Sequence, residues 1–255
     1  MKAEPEIHVF HDQAALFQST ARIVSDIANA AVAERGRFTF VLSGGSSPKG
    51  LFTLLASDAS PSLPWEKTYF FWGDERHVPP DNADSNYRMA RETLLSRISA
   101  REDQIFRVSS EDASADNAAR SYEEAIKAFF DLSGGKLPRF DLVLLGMGPD
   151  GHTASLFPNS RALQEAKRLV VANWVEKLKT DRITMTFPVL NNAASVIFLV
   201  TGAEKASVLK EVLEDSAREY PAQKIRPTAG KLLWMLDESA ASDLLPQTLA
   251  GSAKP

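Results

Sequence analysis

Asp150 and His152 stand two residues apart in the stretch Gly146-Met147-Gly148-Pro149-Asp150-Gly151-His152, and that spacing points to proton transfer. Histidine titrates near neutral pH, so an imidazole in such a turn can take and return a proton, while a nearby carboxylate accepts its other N–H and orients it. The remaining histidines offer less. His8 and His11 are expected in a solvated N-terminal segment, and two imidazoles alone do not define a metal site. His77 is expected to be exposed in a loop.

A second group is Ser43-Gly44-Gly45-Ser46-Ser47, followed by Pro48. Glycines let a backbone approach an anion, and the N–H groups of a following helix can bind it with help from the helix dipole. A tight turn with a serine cap explains the same residues equally well. The stretch fits neither G-x-x-x-x-G-K-[ST] nor G-x-G-x-x-G, so nucleotide binding is not supported. A third group is Asp74-Glu75-Arg76. A solvated loop is the simpler explanation for these charges, although Arg76 could grip a phosphate or carboxylate with its planar fork, held by a neighbouring acid. Glu75 is expected to point the other way. Arg182 and Lys205 sit at element boundaries. A lysine in a first helical turn opposes the dipole unless an anion lies nearby, which favours an anion-binding reading.

These groups need elements to carry them. Asp141–Leu145 is an apolar run of strand length that ends at the Gly-rich turn. Phe38–Leu42 ends at Ser43, Thr68–Trp72 ends at Gly73, and Val196–Val200 ends at Thr201. Leu169–Ala172 and Ile183–Phe187 also read as strands. Helical spacing predicts helices over 14–33, from Pro48, over 86–96, and from Ala118 to Phe130 with closure at Gly134-Gly135. Strands alternating with helices predict an α/β fold, Rossmann-like, with a mostly parallel sheet and helices on both faces. In a parallel sheet the turns at 43–47, 73–76, 146–152 and 201–205 share one edge and can converge on a single crevice.

The chain has 255 residues and no internal repeat, linker or composition break, so a single domain over 1–255 is expected. A net charge of −4 gives no reason to expect nucleic acid. Cysteine is absent, which excludes disulfides and thiolate zinc sites. Met1–His11 lacks a signal-peptide core, and no apolar run approaches the roughly 20 residues that cross a bilayer, so a cytoplasmic protein without membrane contact is expected. No G-x-S-x-G elbow and no H-E-x-x-H occurs.

Taken together the motifs resemble the 6-phosphogluconolactonases. The matching pieces are Leu42–Pro48, then Trp72–Arg76 with Val78-Pro79, Ser85-Asn86 and Tyr87. Gly146–Pro158, Arg182–Thr186 and Thr201–Ala206 complete the set, in the family's order from residue 42 to 206. His77 stands at a position not expected to be fixed. The resemblance implies a Rossmann-like fold and hydrolysis of 6-phospho-D-glucono-1,5-lactone to 6-phosphogluconate in the oxidative pentose phosphate pathway. It implies His152 as general base, with Asp150 orienting it. Arg76, steadied by Asp74, would bind the sugar end and stabilise charge on the carbonyl oxygen. Ser43, Gly44 and Gly45 with Arg182 and Lys205 would hold the 6-phosphate. The partner is then a phosphorylated sugar lactone; no metal or organic cofactor is required, and a monomer is plausible. A glucosamine-6-phosphate deaminase resembles the chain in its Asp-Gly-His turn, but it would follow the histidine with a carboxylate, and Thr153–Pro158 contains none. A sugar-phosphate-binding regulator without turnover should have lost a proton-transfer group, whereas Asp150 and His152 are both present.

Overall fold

In the computed structural model, which describes residues 5–215 and 218–250, the elements run β1 (Glu6–Phe10), α1 (Gln13–Arg35), β2 (Phe38–Leu42), α2 (Ser46–Leu55) and β3 (Thr68–Trp72). They continue as β4 (Asp74–Arg76), α3 (Asn86–Thr93), α4 (Ala115–Phe130), β5 (Leu142–Leu145), β6 (Val170–Val175) and β7 (Thr180–Met185). The last are α5 (Phe187–Leu190), β8 (Ser195–Val200), α6 (Ala206–Glu214), β9 (Lys231–Asp237) and α7 (Pro246–Ala250). Six strands form a parallel sheet in the order β1-β9-β8-β5-β2-β3, and β4, β7 and β6 form a separate antiparallel sheet. This is the expected α/β architecture. No helix among the described residues is long and apolar enough to cross a membrane.

The parallel strands are apolar on both faces because both are covered, as parallel sheets require. Alternate residues serve alternate layers. Phe38, Phe40, Leu42, Leu142, Leu144, Ile197 and Leu199 pack with Leu16, Val24 and Ala28 of α1 and Leu51 and Phe52 of α2. Val41, Phe71, Val143, Leu145, Val196 and Phe198 face the other way, towards Ala118, Tyr122 and Ile126 of α4, Leu209 of α6, and Val170, Ile183 and Met185 of the small sheet. The small sheet therefore acts as part of the second covering layer.

Several expectations need correction. β1 precedes α1, so the N-terminal segment is not merely solvated: His8 lies in β1 with its imidazole largely enclosed and Nε2 3.8 Å from Glu6. His11 is exposed as expected, whereas Met1–Glu4 lie outside the described residues. β9 was not foreseen, although Leu232–Leu236 is wholly buried. Asp74–Arg76 is strand rather than loop, because its backbone pairs with Ile183 and its neighbours in β7. α4 closes at Asp131, in the left-handed conformation, before reaching Gly134-Gly135. β7 ends at Met185, and Phe187 opens a helix. α1 runs slightly longer than predicted, its start capped by Asp12 accepting from Ala15 N at 2.8 Å and its end by Gly36. His77 is half-buried, with Nε2 2.9 Å from the carbonyl of Asp112.

Candidate active site

The carboxyl ends of β2, β5 and β8 do converge, and with β4 and β7 they enclose a cavity of about 350 Å³. That volume suits a small ligand. Ser43, Gly44, Gly45, Asp74, Arg76, Asp150, His152, Arg182 and Lys205 all line it, so every site residue expected from the sequence meets there.

The 146–152 turn is built by its own backbone. Gly148 N–H donates to the His152 carbonyl at 2.9 Å, Gly151 N–H donates to the Gly148 carbonyl at 3.0 Å, and Thr153 Oγ1 donates to the Gly146 carbonyl at 2.8 Å. A Cβ at Gly148 would overlap the His152 ring. Gly151 has φ of 71° and lies against the Tyr220 ring, so glycine is required there both by conformation and by space. The fold of this turn brings His152 Nδ1 to 2.5 Å from Asp150 Oδ1. The hydrogen bond to His152, opposed by partial burial, holds the Asp150 carboxyl down at about 2. An ionised carboxylate can only accept, so Nδ1 carries the proton of this bond and neutral His152 keeps its lone pair on Nε2. Nε2 makes no hydrogen bond among the described residues and is free for the cavity. Phe157 stacks on the ring, with centroids 4.1 Å apart and planes 22° apart. Lys177, from the β6–β7 connection, sets Nζ 3.7 Å from Asp150 Oδ2.

Across the cavity the arrangement is different. Arg76 and Arg182 are direct cross-strand partners in the β4–β7 register and so lie on one face. Both Nε atoms are buried without a hydrogen-bond partner among the described residues. Burial first, and the Arg76 charge second, lower the Arg182 pKa. Two guanidiniums side by side with unused donors are chemically suited to an anion. Arg182 lies inside β7 rather than at an element boundary.

Asp74 does not steady Arg76 as expected. Asp74 Oδ2 accepts from Ser155 Oγ at 2.5 Å, and Arg76 Nη1 donates instead to the Asp84 carbonyl. On a strand, consecutive side chains leave opposite faces, but Asp74 and Arg76 are two apart and share one; their separation is set by the partner each has found. α2 begins after Gly45, at φ of 108°, without a side-chain cap, so the alternative of a serine-capped turn is not what forms. Its first residues, Ser46 and Ser47, line the cavity. Lys205 flanks the same region as the residue preceding α6 and is four-fifths enclosed. Ser47 Oγ lies 2.7 Å from Thr201 Oγ1, linking the Gly-rich loop to the end of β8.

Asn86, Ser155, Phe157, Lys177 and Thr201 were not singled out as site residues from the sequence, although all line the cavity. For Ser155 and Phe157 a signal existed in the turn that continues from His152. Lys177 had none, because it reaches the site from the tip of the β6–β7 hairpin, whose two strands both belong to the small antiparallel sheet.

Comparison with known proteins agrees with this architecture. The family described as "Glucosamine-6-phosphate isomerases/6-phosphogluconolactonase" matches residues 11–234. The chain is 42% identical over 240 residues to the 6-phosphogluconolactonase of Nostoc sp. (strain PCC 7120), covering 93% of this chain and 98% of that one. It is also 42% identical over 244 residues to the 6-phosphogluconolactonase of a Synechocystis species, covering 95% and 99%. Among solved structures, the 6-phosphogluconolactonase from Trypanosoma cruzi superposes with a TM-score of 0.85 at 32% identity, over 96% of this chain and 98% of that one. The enzyme from Trypanosoma brucei gives 0.85 at 33%, over 95% and 100%. Sequence coverage, fold and the convergence of the motifs agree: the chain belongs to the glucosamine-6-phosphate isomerase/6-phosphogluconolactonase family of enzymes.

Proposed function

We propose that this single α/β domain hydrolyses 6-phospho-D-glucono-1,5-lactone to 6-phosphogluconate, the lactone-opening step of the oxidative pentose phosphate pathway. The observation that carries the reading is a proton-handling pair, Asp150 and His152, opening into the same cavity as two arginines with unused donors.

In this mechanism the lactone phosphate is held by Ser43, Gly44 and Gly45 at the open start of α2, with Arg182 and Lys205. Arg76 faces the carbonyl end. His152 Nε2 takes a proton from water as the water oxygen bonds to the lactone carbonyl carbon. Negative charge develops on the carbonyl oxygen and is stabilised by Arg76. Collapse breaks the bond to the ring oxygen, which receives the proton from Nε2 and becomes a hydroxyl. The new carboxylic acid then ionises. Asp150 keeps the imidazole in one tautomer throughout, and a base so placed contributes about 10²–10⁴-fold. Phosphate binding remote from the reacting carbon positions the carbonyl against that base.

Purified protein mixed with freshly generated lactone should open it faster than the spontaneous background, and a rate equal to background would end the proposal. Release of ammonia from glucosamine 6-phosphate is not expected, since Thr153–Pro158 supplies no carboxylate and Ser155 instead donates to Asp74.

A further inference from the structure

Glu75 is almost wholly buried, with 1% of its surface exposed, yet it carries no role in the chemistry described above. Its carboxylate is surrounded by donors from two separate segments. Oε1 accepts from its neighbour Arg76 N at 2.8 Å and from Asn86 N at 2.7 Å. Oε2 accepts from Tyr87 N at 2.7 Å and from Ser85 Oγ at 3.1 Å. Asn86 and Tyr87 open α3, so a carboxylate from β4 closes the positive end of that helix. Ser85 caps the same helix by accepting from Arg88 N at 3.1 Å.

The consequences reach the anion side of the cavity. Asn86, fixed by its backbone bond to Glu75, donates from Nδ2 to the Asp74 carbonyl at 2.9 Å. Its amide occupies the space where Gly44 would carry a Cβ. Arg76 has its backbone N–H tied to the same carboxylate, and its own side chain lies across from Arg182 in the β4–β7 register. The negative charge of Glu75 also acts on Arg182 in the favourable direction.

We infer that Glu75 is a positioning residue for the anion-binding half of the site, locking Arg76, Asn86 and through it the Gly44 loop into one rigid arrangement before ligand arrives. The inference rests on the proposed reading of this cavity as an anion-binding active site. Each oxygen takes two donors, so replacing either by an amide NH₂ sets donor against donor. Glu75→Gln therefore keeps the volume and loses one of the two forks whichever way the amide turns.

Titration with inorganic phosphate tests this without requiring turnover. In Glu75→Gln the Kd for phosphate should rise about 10–100-fold, as when orienting partners are removed from a site. With the lactone as substrate, KM should rise by a larger factor than kcat falls. Glu92→Gln, which breaks the exposed Arg88–Glu92 pair on the same helix, should leave phosphate affinity unchanged. A Glu75→Gln protein that melts lower but binds phosphate as the wild type does would overturn the inference and leave Glu75 a stabiliser only. If that variant does not fold, Ser85→Ala removes one donor from the cluster; a several-fold weaker Kd supports the inference and an unchanged Kd overturns it. Wild-type protein that fails to open the lactone, while Glu75→Gln still loses phosphate affinity, would remove the proposed reaction and retain this role.

Discussion

The two ends of the parallel sheet use the same residue types to opposite effect. At the amino end, just before β5, Asp141 accepts from Thr39 N and Thr39 Oγ1, each at 2.8 Å, and from Arg35 at 2.5 Å. Thr39 Oγ1 in turn accepts from Asp141 N at 2.8 Å, so β2 and β5 are joined by a closed set of bonds. At the carboxyl end Arg76 and Arg182 face each other with buried Nε atoms unpaired. A satisfied network stabilises, whereas an unsatisfied one persists where something else is meant to complete it. Even within the carboxyl end the contrast holds. Asp150, His152 and Phe157 are arranged by contacts within the protein, whereas Arg76 and Arg182 keep Nε donors unused among the described residues.

The strongest break of this comparison is His152→Ala. It should lower kcat by about 10²–10⁴-fold, towards the spontaneous rate, with KM changed little; a loss below tenfold would remove His152 as base. Arg182→Ala comes next, raising KM by about 10–100-fold, the worth of a charge-assisted bond. Its melting temperature should be unchanged or higher, because the substitution removes a guanidinium whose buried Nε has no hydrogen-bond partner among the described residues. A lower melting temperature with normal KM would reverse the assignment. Asp141→Ala should do the opposite: orphaned donors on Thr39 and Arg35 cost about 1–3 kcal/mol in denaturant unfolding, with kcat/KM of the folded protein intact. Lost activity at full stability would show that the two ends are not separable in this way.

The smallest effect is a pH dependence. A carboxyl held down at about 2 contributes stability that is present above the ordinary aspartate value and fades as pH falls through the folded one. Wild-type protein should therefore exceed Asp150→Asn in stability by a constant margin at neutral pH, and the margin should shrink between about pH 4 and 2. A margin independent of pH across that window would mean that the Asp150 charge does not stabilise the turn.

Much of this was legible in the chain itself. Apolar runs of strand length ending in Ser43, Gly73, Gly146 and Thr201 determined a parallel sheet with its polar turns at one edge, because β-branched and aromatic stretches between helices bury both faces. The Asp150–His152 pair was legible because both residues sit in one local turn, closed by bonds no more than seven residues apart. Beyond local range the sequence had little to say. Glu75 looked like a solvated charge, and only the arrival of α3 made it a buried acceptor. Asp74 looked like the partner of Arg76 by proximity in the chain, yet Ser155 lies nearer in space. The Arg76–Arg182 pairing depends on a register between β4 and β7, two strands that share no local signal. The sequence by itself thus determined which groups could do chemistry and at which edge. Tertiary structure decided which of them face each other, because hydrogen-bond partners are assigned by distance in space and not along the chain.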